Sequence, residues 1–154
     1  MKSLKLKTIE IVKASKLLDE AKYQAMSDED KVKLWKISRK LKPIADKYTE
    51  EKKDAELKLI PSENFHEEMH KGAAYEKFVQ SKKEGEPPIS KEEYQQIMQK
   101  YLDYQVLVNK ALKELLNKEE EIEFEPFSED AWGKLMSSND WKIAELEPIA
   151  FLIE

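Results

Sequence analysis

The two histidines of the chain, His66 and His70, stand in "NFHEEMHKG", residues 64–72, at the spacing of the H-E-x-x-H zinc signature. On a helix, residues i and i+4 share one face, so both imidazoles can reach one ion, with Glu67 aimed at a metal-bound water as general base. A zinc-dependent hydrolase with ligands His66 and His70 and catalytic Glu67 is therefore one function the residues allow. Catalytic zinc needs a third protein ligand. No third histidine exists, and the extended H-E-x-x-H-x-x-G-x-x-H form fails because Gly72 falls one place early and position 76 is glutamate. Glu76 lies about 1.7 helical turns past His70, on a poorly matched face. Glu68 and Lys71 add charge that is costly to bury. The preferred expectation is an ordinary helix surface with no catalytic residue, metal or cofactor, and zinc at His66 and His70 is the alternative.

Any such site depends on the elements that hold it. The chain has 154 residues, 38% of them charged, 40% hydrophobic and only three glycines. Charged residues are roughly a quarter of an ordinary domain, so this composition predicts long solvated helices in one domain over 1–154. The 32 acidic and 27 basic side chains give a net charge of −5. Spread through the chain, they offer no broad positive field for phosphate backbones, and nucleic acid is not an expected partner. Without cysteine there is no disulfide framework and no thiol nucleophile, which suits a cytoplasmic location. No apolar run approaches the ~18 residues of a membrane span, so a membrane partner is not expected either.

Leu4-Lys5-Leu6-Lys7 alternates with period two, and residues 121–125, "EIEFE", alternate with opposite charge. Pairing the two strands puts Leu4 and Leu6 with Ile122 and Phe124 on a buried face, and lysines opposite glutamates on the wet one. A first helix is expected to run to about Met26. Ser27 then caps a second, whose stripe Leu34, Ile37, Leu41, Ile44 and Tyr48 steps by three and four, with a bend at Pro43. Residues 61–90 form a less regular excursion with a helix over about 63–82. Ser90-Lys91-Glu92-Glu93 opens the second of two long helices, about 40 Å in length, with the stripe Tyr94, Ile97, Tyr101, Tyr104 and Val108. Serines 62, 90 and 128 read as helix caps rather than nucleophiles. The expected fold is mainly α: a long antiparallel helical hairpin with shorter helices and a small two-stranded β element, its two stripes closing on each other within one chain or across a dimer. Trp141, Ile143 and Leu146 are expected to form a short segment ending before Pro148, and the apolar tail 149–153 must be buried in this chain or in a partner.

The stretches "LKLKTIEIVKASKLL", "ISRKLKPIADKYTEEKKDAELKL", "NKALKELLNKEEEIEFEPF" and "ELEPIAFLIE" together resemble small proteins of tailed bacteriophages whose activity is uncharacterised. The resemblance implies a setting, the host cytoplasm beside phage structural or assembly genes, and no reaction. The expected function is then non-catalytic protein binding or assembly, by a protein partner or by self-association into a small oligomer. Trp132, Trp141, Phe151 and Ile153 are the candidate protein-binding residues, because aromatic anchors dominate such surfaces. The zinc hydrolase and an inhibitor of a host defence protein are the alternatives.

Overall fold

The computed structural model describes residues 1–82 and 84–153; the chain divides into two compact units, 1–51 with 114–154, and 52–113. Among the described residues the order is β1 (Lys2–Lys7), α1 (Thr8–Glu20), α2 (Asp28–Lys58), α3 (Phe65–Ser81), α4 (Lys91–Leu116), β2 (Glu119–Phe124), α5 (Glu129–Ser137) and a 3-10 helix over Ile143–Leu152. The fold is mainly α with one small sheet.

In the first unit, β1 and β2 pair antiparallel in the register that alternation requires: Leu4 opposite Ile122, Lys5 opposite Glu121 and Lys7 opposite Glu119. Leu6, Ile122 and Phe124 are buried, while Lys5, Lys7 and the glutamates face water. Phe124 stands opposite Lys2, one pleat beyond the leucines. The Thr8 backbone N–H and hydroxyl both donate to the Lys118 carbonyl, at 2.8 and 3.1 Å, and close the end of the ladder where α1 begins. Glu10 reaches back to accept from the Lys7 N–H at 2.7 Å, satisfying a donor that the helix start leaves free.

α1 stops at Glu20, six residues short of the expected Met26, because Ala21 is extended (ψ 139) and a distant residue holds the chain that follows. The Asn139 side chain accepts from the Lys22 N–H at 2.8 Å and donates to the Lys22 carbonyl at 2.7 Å. Ser138 Oγ accepts from the Ala25 N–H at 3.2 Å. The loop between α1 and α2 is therefore shaped by the end of α5.

Ser27 caps α2 by accepting from the Asp30 N–H at 3.2 Å, and the helix continues past Pro43. Its Leu34, Ile37 and Leu41 join Ile11, Ala14 and Leu18 of α1, Phe124, Phe127, Leu135 of α5 and the C-terminal segment in one core. The apolar tail is buried within this chain: Ile149 and Leu152 have no exposed surface, and the Phe127 N–H donates to the Leu152 carbonyl at 2.7 Å. Lys2 Nζ donates to the Phe151 carbonyl at 3.3 Å. The expected stop at Pro148 does not occur. The 3-10 helix passes through it and carries Leu146, Ile149 and Leu152 inward at three-residue spacing.

The second unit holds the end of α2, α3 and most of α4. Ser90 caps α4 through the Glu93 N–H at 3.1 Å. Ser62 is not the cap of α3: Asn64 takes that place, and the Ser62 hydroxyl accepts from Lys100 Nζ at 2.9 Å. Gly72 is buried where α3 meets α4; a Cβ there would lie 3.4 Å from Ile97 Cγ2, in van der Waals contact, so the two helices approach closely at this point. α3 thus takes part of the tyrosine stripe. Tyr75 stacks on Tyr94 at 4.4 Å, and Tyr94 donates to Glu76 at 2.6 Å, a bond that raises its pKa above the ordinary tyrosine value. Tyr104 packs on Phe65 at 5.0 Å and donates to the Glu56 carbonyl of α2 at 2.8 Å, burial being the main cause that raises its pKa.

Candidate functional site

α3 positions the H-E-x-x-H residues by what it buries. Phe65 and Gly72 face inward, and Glu68 is drawn to Lys100 at 3.0 Å. His66, Glu67 and His70 are all exposed. Among the described residues no group of three or more His, Cys, Asp or Glu side chains is placed to hold a metal ion. The fourth ligand position of a catalytic zinc also needs a cleft that excludes water. The cleft between α3 and α4 is lined by Met69, Gly72, Ala73, Glu76, Ile97, Met98 and Tyr101 and includes neither histidine.

Trp132, Trp141 and Phe151 are half-buried and pack on the core of the first unit, with Phe151 edge-on to Phe124 at 5.6 Å. Ile153, also half-buried, forms a parallel bridge with Phe127. These four side chains expose only part of their surface.

The third tryptophan presents more. Trp35 follows the buried Leu34 on α2, a step of about 100° round the helix that carries its ring away from the core. It is 56% exposed, with Val32 and Tyr23 also exposed at 50% each. Clefts flank it on both sides. One, of about 390 Å³, is lined by Met1, Lys33, Trp35, Lys36, Ile37, Arg39, Lys40, Phe124 and Glu125. The other, of about 420 Å³, is lined by Leu18, Asp19, Ala21, Tyr23, Lys31, Val32, Leu34, Trp35 and Ser38.

The Arg39 guanidinium carbon lies 4.8 Å from the centroid of the Trp35 ring, one helical turn on, where ring quadrupole and cation attract. Lys33 pairs with Glu125 at 3.9 Å, and Lys40 donates to the Glu123 carbonyl. The arrangement contains no nucleophile with an adjacent base and no convergent acid groups. Chemically it can bind: an apolar floor, an aromatic wall and a cationic rim.

Sequence reasoning missed this site because it followed the core stripe and averaged the charge over the chain. The signal was legible in "KVKLWKISRKLK", residues 31–42, with six basic residues and no acidic one around a tryptophan that falls off the 34/37/41 stripe. No protein-family model, no curated protein and no solved structure matches this chain. Among the described residues no helix is long and apolar enough to cross a membrane.

Proposed function

We propose that this chain is a non-catalytic protein-binding protein that docks a partner on the Trp35 face of its first unit. The exposure of Trp35 between two apolar clefts carries the proposal. A large aromatic side chain left in water beside concave apolar surface is the feature that recurs at binding hot spots. The sequence resemblance to tailed-phage proteins suggests the setting, a partner met in the bacterial cytoplasm during assembly. Affinity capture from a bacterial lysate tests the role. A discrete protein should be retained by the wild type, lost with Trp35→Ala and kept with Trp132→Phe. Retention that ignores Trp35, or no specific retention, would refute the Trp35 docking role.

A second reading, self-association, is favoured by α4 in the second unit. Leu102 and Val106 are 50% and 66% exposed there. With half-buried Met98 they form an i, i+4, i+8 row flanked by exposed Gln95, Gln99, Gln105 and Asn109. In a chain so rich in charge this strip carries none, and reversed about Leu102 it keeps its chemistry. Rows of this spacing interdigitate when two helices cross at about −50°. A two-fold axis at Leu102 then sets Met98 against Val106 of the second copy and amides against amides, as an isologous contact requires. Light scattering over a concentration series should show a dimer that Leu102→Glu converts to monomer. A wild type that stays monomeric at high concentration would remove this reading and leave the Trp35 role intact.

A further inference from the structure

Around Trp35 a short basic segment stands in a chain of net charge −5. We infer that this face takes an acidic protein segment bearing one large apolar side chain, the carboxylates meeting Arg39 and Lys36 while the apolar group enters the cleft between Trp35 and Phe124. The inference rests on the docking role proposed above and adds the chemistry of the partner.

Three observations select that chemistry. First, the indole holds the Arg39 guanidinium over its ring, so the planar fork is oriented before a carboxylate arrives and can bind it through two parallel N–H donors. Second, the other rim cations Lys33 and Lys40 already engage Glu125 and the Glu123 carbonyl, whereas Lys36 and Arg39 make no ion pair among the described residues. They remain available to an incoming anion. Third, the cleft behind that rim runs from the exposed side chains of Trp35 and Met1 down to the buried Ile37 and Phe124, and an acidic group alone would leave the apolar surface of Trp35 and Met1 in contact with water.

A nucleic-acid strand fits less well. Base stacking needs an open aromatic face, and Arg39 covers one face of Trp35. The basic run spans about 17 Å of helix, a short track for a polyanion that the rest of a negatively charged protein repels.

A random dodecapeptide display library, selected on the immobilised full chain and counter-selected on the Trp35→Ala/Arg39→Gln double variant, tests the inference. Recovered peptides should be enriched in Asp and Glu and share a large apolar residue. A synthetic copy of the most frequent one should bind about tenfold or more weakly to Arg39→Gln, and weaken as salt rises. The variants are exposed substitutions, so an unchanged thermal transition shows that they fold. Peptides that need Trp35 but carry no excess of acid would overturn the partner chemistry while sustaining the docking role. A library that yields nothing separating wild type from the double variant would overturn both. Displacement of the bound peptide by micromolar dodecathymidine, with the oligonucleotide itself binding more tightly, would reassign the face to nucleic acid.

Discussion

Replacing Phe127 by alanine should lower the unfolding free energy by about 3–5 kcal/mol, the range for emptying a fully buried aromatic site. Phe127 has no exposed surface and lies in the core that also holds Phe124, Leu135, Ile149 and Leu152. Its backbone N–H donates to Leu152 and its strand-like bridge to Ile153 holds the C-terminal segment in place. A cavity there weakens the packing of β2, α5 and the 3-10 helix together. Domains of this size have only about 5–15 kcal/mol in total, so a chemical-denaturation midpoint should fall sharply. Ile143→Ala is the control, since Ile143 is 87% exposed and its loss removes little buried area. A Phe127→Ala protein within about 1 kcal/mol of the wild type would mean that the tail does not complete the core as described.

Pro43→Ala should act in the opposite direction, raising stability by about 1–3 kcal/mol. Pro43 is exposed within the continuous helix α2, and its ring removes the N–H that would otherwise bond the Arg39 carbonyl. Alanine restores that donor and adds no side chain that needs packing. For a chain of this length each kcal/mol moves the thermal midpoint by about 2–4 °C, so a rise of several degrees is expected by calorimetry. An unchanged or lower midpoint would show that the backbone before Pro43 is held in a conformation that a regular helix does not supply, with packing on both sides adapted to it.

What was legible in the chain follows from the range over which each feature is decided. The caps at Ser27, Ser90 and Ser128 and the alternation of the two strands are local, and side-chain chemistry a few residues away specifies them. The end of α1 is not local, because Asn139 fixes it from the far side of the chain. The division of the α4 stripe also escaped local reasoning. Periodicity says that Tyr94 and Ile97 are packed, yet only the tertiary arrangement gives them to α3 through Gly72 and Tyr75. The helix expected over about 63–82 is present as α3, and the face it turns outward was set by Phe65 and Gly72, which flank the motif residues on either side. Trp35 was hidden for a related reason. An apolar residue next to a core position counts toward hydrophobicity in a linear scan, whereas the helical turn carries it into water.

The sheet has a consequence for the order of assembly. Ser3 and Glu121 are hydrogen-bonded partners 118 residues apart, so β1 emerges from a ribosome long before the strand that completes it. Helical turns form within about a microsecond of becoming available, while contacts of such high sequence separation close late. During that interval β1 is an unpaired edge, and Lys5 and Lys7 along it supply the charge that discourages pairing with the wrong chain. The same lysines that later face glutamates across the ladder therefore act first as guards of a waiting strand.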